Sequence, residues 1–190
     1  MKKLVVSIGL FIALNISAQE NKCGLQKSEF DIYRVDTADL TCLAKNSDKK
    51  NTIFFTFARW CAPCLYHLPN FLNIEKDHNV DLYVLLIDSE GHKMIKLAKD
   101  YILEDYPNAK ILVLKDKDKK NSKKYKDFIK EVTPSQFEMI PDMSKYIVFN
   151  NSGEIQLVTT WKDNKEYPEW KDDTSTIKRI VLPLLEKNKS

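Results

Sequence analysis

Four cysteines stand in this chain of 190 residues, and two of them, Cys61 and Cys64, are separated by only two residues in ARWCAPCLYHLP (58–69). Thiols that close can cycle between dithiol and disulfide, furnish half of a metal site, or close a small structural ring. A metal site needs two further ligands, and Cys23, Cys42, His67, His78 and His92 offer no second close pair, so no metal is expected. What flanks the pair favours redox chemistry. Cys61 follows a β-rich run and opens a helical one, which puts it at a helix N-terminus, where free N–H groups and the helix dipole favour an anion. A thiolate is the nucleophile of disulfide exchange, and in Cys-x-x-Cys sites the thiol pKa falls to roughly 3.5–7.5 from about 8.5. Arg59 adds to the positive field if its side chain turns toward the sulfur, and Pro63 suits a first helical turn, where its missing N–H costs nothing. Cys64, one turn on, is expected beneath Cys61 and more buried. Cys61 is then the attacking thiol and Cys64 the resolving one, in an exchange that needs no organic cofactor. A purely structural short-loop disulfide is the plain alternative.

The surrounding sequence supplies elements to hold such a pair. TIFFTFA (52–58) and VDLYVLLID (80–88) are β-rich and apolar, as strands buried on both faces are. Between them Leu65, Leu68, Phe71, Leu72 and Ile74 recur at three- and four-residue steps, predicting a helix with Pro69 inside it and a kink there. KMIKLAKDYILEDY predicts a second helix, KILVL (110–114) a third strand, and KDKDKKNSKKYKDFIKEV a lysine-rich solvated loop leading into a further helix. SKYIVFNNSGEIQLVTTW reads as a hairpin turning at NNSG. The last segment reads as a helix capped by Asp173 or Thr174 and bent by Pro183. DIYRVDTADLTCL (31–43) alternates only loosely. Strand, helix, strand, helix implies parallel pairing through right-handed crossovers, hence an α/β fold.

Composition and the N-terminus bound the setting. With 43% hydrophobic residues the chain can bury one core, read as a single domain over 19–190. MKKLVVSIGLFIALNISA (1–18) has two lysines, an apolar run too short to span a bilayer and a small-residue end, the pattern of a secretory signal peptide. Without it, 28 basic residues face 27 acidic ones, which gives no electrostatic case for nucleic acid as a partner. An exported chain meets an oxidising compartment, where Cys23 and Cys42 could pair as a structural disulfide; Cys42 as a relay thiol is the alternative. His67 is expected on a half-exposed helix position, and Trp161, Tyr167 and Trp170 either form a recognition surface or pack on the final helix.

The run FFTFARWCAPCLYHLP, with its strand, Trp60, CxPC pair and Pro69 five residues after Cys64, resembles thioredoxin-like proteins. With the leader and the pattern around TADLTCLAKN it resembles the exported thiol-disulfide oxidoreductases of the TlpA and ResA type more than cytosolic thioredoxin. The resemblance implies a central mixed sheet flanked by helices on both faces and a cis-proline loop against the Cys pair. It also implies protein disulfide or dithiol substrates, an electron-donating membrane partner, a monomer, and a place in the periplasm or cell envelope. Pro141, in an Ile-Pro context, is the expected cis-proline, with a short insertion after it. Counting back from the Gly153 turn lands on Ser144 instead. Where thioredoxin buries an acid six residues before the first cysteine, this chain has Phe55, leaving Asp88 and Glu90 as candidates for a proton relay. The rival from another class is a binding or scaffold module whose pair stays oxidised.

Overall fold

The computed structural model describes residues 19–116, 121–164 and 170–187. Residues 1–18, which the sequence suggests are a signal peptide, Tyr167 and part of the lysine-rich run lie outside them. Five strands build most of a mixed sheet: β2 (Tyr33–Val35), β3 (Asn51–Phe57), β4 (Val80–Leu86), β5 (Ile111–Leu114) and β6 (Tyr146–Asn150). The short β1 (Gln26–Lys27) and β7 (Ile155–Val158) complete it. Their order is β1-β2-β5-β4-β3-β6-β7. β2, β5, β4 and β3 run parallel, and β1, β6 and β7 pair antiparallel. β3 and β4, buried at every position, are the centre, because chains so rich in Phe, Val, Ile and Leu are stable only when covered on both faces.

The covering layers follow from crossover handedness. From β3 through α2 (Ala62–Asp77) to β4, and through α3 (Lys93–Asp105) to β5, the chain steps in one direction, which places both helices on one face. Phe55 stacks on Phe71 of α2 at 4.9 Å between ring centroids, and Phe57 on Tyr101 of α3 at 6.3 Å. The C-terminal helix α5 (174–187) is joined to that face through Asp173, which accepts from Asn70 of α2. α1 (Thr37–Lys45) and α4 (Asn121–Val132) cover the opposite face. There Tyr125 of α4 reaches Thr56, and Gln19 links the Leu43 carbonyl of α1 to the Tyr83 hydroxyl. This is the mixed sheet with helices on both faces that the resemblance implies.

Local chemistry explains where the structure departs from expectation. The stretch 31–43 is a three-residue strand followed at once by a helix. The Asp36 carboxylate accepts the Ala38 and Asp39 N–H groups while Asp39 accepts the Asp36 N–H at 2.9 Å, a reciprocal cap that starts α1. Asp173 occupies the cap position of α5 but makes no capping hydrogen bond, because its carboxylate is drawn to Tyr146 and Asn70. Ahead of Pro183, residues Ile177–Val181 form a π-type turn, which gives the ring room where a regular helix would clash. In the β6–β7 turn Gly153 has φ +78°, and a Cβ there would come within 2.7 Å of Lys45. Among the described residues no helix is long and apolar enough to cross a membrane.

Candidate functional site

β3 ends at Phe57, the chain turns, and Cys61 becomes the N-cap of α2. Its backbone is extended there, and its sulfur accepts the Cys64 N–H at 3.3 Å. That contact and the helix dipole favour a thiolate on Cys61 once the pair is reduced. Pro63 falls in the first turn, where no intrahelical bond is lost. Cys61 and Cys64 are joined as a disulfide with Cα atoms 5.3 Å apart. Cys61 retains 5% exposure and Cys64 none, so an incoming sulfur meets Cys61 first. The Cys64 sulfur lies 3.6 Å from the Thr56 carbonyl oxygen, an acceptor for its S–H in the reduced state.

Cys61 opens into a groove of about 630 Å³, within the range of ordinary ligand clefts. Trp60, Pro63, Met143, Ser144, Trp161 and Trp170 are among its walls. Trp60 is 59% exposed, yet its indole N–H donates to Asp88 at 3.0 Å, so the ring presents only apolar surface. The buried Lys124 ammonium donates to the Asp88 and Leu114 carbonyls and to Asp116, fixing the ends of β4 and β5. Asp88 therefore orients Trp60. Glu90 is engaged elsewhere, paired with Arg34 and accepting the Asp116 N–H, and reaches no cysteine.

Two expectations about the supports are corrected. The Ile140–Pro141 bond is trans, no described residue has a cis peptide bond, and Pro141 is not part of the groove. Asp142, Met143 and Ser144 line the groove with Cys61 instead, because β6 begins only at Tyr146 and the Lys145 carbonyl already accepts the Thr56 N–H, fixing the register. Ser144 stands at φ +64°. Arg59 is engaged elsewhere than at the sulfur; its guanidinium lies 4.4 Å from the centre of the Tyr101 ring in α3, a cation–π contact.

A polar cluster lies under the loop. Tyr125 donates to the Asp142 carbonyl at 2.6 Å, and the Lys145 N–H donates to Thr56 Oγ1 at 3.0 Å. The Lys145 ammonium donates to the Thr159 carbonyl at 2.8 Å and pairs with the Asp142 carboxylate. Burial pushes the Lys145 pKa down while Asp142 pulls it back, and burial holds the Tyr125 phenol well above its usual range, so it remains a donor. Phe55 belongs to the aromatic stack with Phe71 and Tyr146.

His67 is buried, not half-exposed as the sequence implied, and lines the groove. Its Nδ1 is 2.6 Å from Ser144 Oγ and its Nε2 2.8 Å from the Trp170 carbonyl. The three-residue step from Cys64, which sets the two on one helix face, was the available signal. Trp170 packs edge-on against Tyr66 at 5.4 Å with Lys171 over both rings. Cys23 and Cys42 form a disulfide with Cα atoms 5.8 Å apart, tying the N-terminal turn to α1. Among the described residues no group of three or more His, Cys, Asp or Glu is placed to hold a metal ion.

A strand–helix junction carrying the Cys pair, a parallel β3–α2–β4 unit and an antiparallel β6–β7 hairpin beside β3 together decide the architecture. The fold is thioredoxin-like. No family model matches the chain, and no curated protein does. Among solved structures it is similar to the thioredoxin domain of a thiol-disulfide oxidoreductase from Bacteroides vulgatus, at 17% identity over 72% of this chain and 82% of that one, with a TM-score of 0.45. It is also similar to thioredoxin f from spinach chloroplast, at 11% identity over 98% and 100% of the chains, with a TM-score of 0.40.

Proposed function

We propose that this protein is an exported thiol-disulfide oxidoreductase that exchanges disulfides with protein substrates through Cys61 and Cys64, acting as a reductase or isomerase. The observation that carries the reading is the asymmetry of the pair. One sulfur is capped by a helix N–H at the floor of a groove, and the other is fully buried one turn below. In the reducing direction the Cys61 thiolate attacks one sulfur of a substrate disulfide, and the other substrate sulfur leaves as a thiolate that takes up a proton. A mixed disulfide now joins Cys61 to the substrate. Cys64 gives up its proton, attacks the Cys61 sulfur and expels the second substrate thiol, so two electrons pass to the substrate and the pair ends as the disulfide seen here. A dithiol partner, in this reading a membrane electron donor, reduces the pair again by the same two steps.

Insulin reduction with dithiothreitol as the electron source tests the reading. The wild type accelerates it, and Cys61→Ser abolishes the acceleration. Retained activity in Cys61→Ser, or none in the wild type, would refute the proposal. The equilibrium potential of the pair tests the direction: a reductase falls toward about −270 mV and an oxidant toward about −120 mV.

A further inference from the structure

We infer that His67 is the positioning residue of this site, fastening both walls of the groove to the helix that bears the cysteines. This rests on the reading of Cys61 and Cys64 as the reacting pair, and concerns how substrate is held beside them. A carbonyl oxygen can only accept, so the 2.8 Å contact with Trp170 places a hydrogen on His67 Nε2. In the neutral ring Nδ1 is then the acceptor, and the Ser144 hydroxyl donates to it at 2.6 Å. The ring thus bridges three segments distant in sequence: α2, the loop before β6 and the turn at Trp170. Asp173, 3.7 Å from Nδ1, completes the cluster, receiving hydrogen bonds from Tyr146 and Asn70.

The two partners are the parts of the groove most in need of fastening. Ser144 holds a left-handed conformation that costs a non-glycine residue free energy and persists only when its surroundings impose it. No proline stiffens the loop at that point. Trp170 is 48% exposed and anchors an apolar surface that water would otherwise leave unsupported. Of the large hydrophobic residues exposed among the described ones, Trp60, Trp161 and Trp170 all line this groove and Tyr66 braces Trp170. Exposed aromatics clustered around a reactive group form a surface for binding polypeptide. His67 touches that surface from beneath, while the Cys61 sulfur is capped by Cys64, not by the imidazole. Its loss is therefore expected to weaken capture of a polypeptide and to leave the sulfur chemistry intact.

The test compares insulin, which needs the walls, with 2-hydroxyethyl disulfide, which does not. His67→Leu is expected to raise KM for insulin about tenfold, the scale of two lost hydrogen bonds. The potential of the pair, kcat and the rate with the small disulfide are expected to stay within about twofold. His67→Asn, which keeps a polar atom near Nδ1, and His67→Gln, which keeps one near Nε2, each restore part of the loss. Should His67→Leu not fold, Ser144→Ala and His67→Asn carry the test through their own rise in KM. Unchanged KM in these variants overturns the inference. So does an equal fall in the small-disulfide rate, which would put His67 in the proton transfer. A wild type that reduces neither substrate refutes the proposed function instead.

Discussion

The Cys61 sulfur accepts a helix N–H, and the Cys64 sulfur is fully buried beside a carbonyl oxygen. In the reduced protein these surroundings favour the thiolate at the first position and the thiol at the second. Iodoacetamide at mildly acidic pH is therefore expected to label Cys61 at least about tenfold faster than Cys64, as read by peptide mass spectrometry. Equal labelling would contradict the assigned roles. The placing of the two cysteines, one at the helix start and one buried a turn on, was legible in the sequence because spacing within one helical turn is local information. The bond from Trp60 to Asp88, the bridge from His67 to Ser144 and the cation–π parking of Arg59 on Tyr101 were not. Each joins residues that only the finished sheet brings together. Phe55 shows the same limit. Its side chain stacks with Phe71 and Tyr146, so this part of the core is an aromatic stack in place of a buried acid. Phe71→Ala, which empties that stack, is expected to cost about 3–5 kcal/mol in chemical denaturation.

At the scale of elements, β3 and β4 were legible because continuous apolar runs of that length have few other fates. α1 was not, since Thr37 and Thr41 are weak helix formers and its start rests on the reciprocal bonds of Asp36 and Asp39. The spacing of those two acids was the signal that went unread. Burial alone would raise the Asp36 pKa, but the Asp39 N–H, Lys115 and the Ala38 N–H outweigh it and hold the carboxyl below its ordinary 3.8. A carboxylate with a depressed folded-state pKa contributes stability that is present above the unfolded value and lost as pH falls through the folded one. Asp36→Ala is accordingly expected to lower stability by about 1 kcal/mol at neutral pH. The difference from wild type should shrink as pH falls below 3.8 and vanish only once the lower folded-state value has been passed. A difference that persisted there would mean that packing, not the cap, holds the helix. The loop before β6 was misread for a related reason. An Ile-Pro dipeptide is a strong local cue, but the pairing of β3 with β6 sets where the loop meets the groove, and Asp142, Met143 and Ser144, not Pro141, line it with Cys61.

Across the whole molecule the two disulfides do different work. The Cys23–Cys42 bond closes a loop between residues 19 apart in sequence and joins the N-terminal turn to α1, outside the groove. By loop entropy its removal in Cys23→Ser/Cys42→Ser is expected to cost about 3 kcal/mol of folding stability and to leave disulfide exchange at Cys61 unchanged. A variant with normal stability, or one that loses exchange while folded, would contradict that division. The Cys61–Cys64 pair sits where a central strand meets its crossover helix, and the loop before β6 and the segments after β7 supply walls of the groove beside Cys61. The most direct test of the account is to trap the intermediate with Cys64→Ser and resolve the products on a non-reducing gel. The account predicts mixed disulfides between Cys61 and protein substrates that accumulate, disappear with dithiothreitol and do not form in Cys61→Ser/Cys64→Ser. If Cys64→Ser traps nothing, or if trapping survives the loss of Cys61, the pair does not act in the order assigned to it.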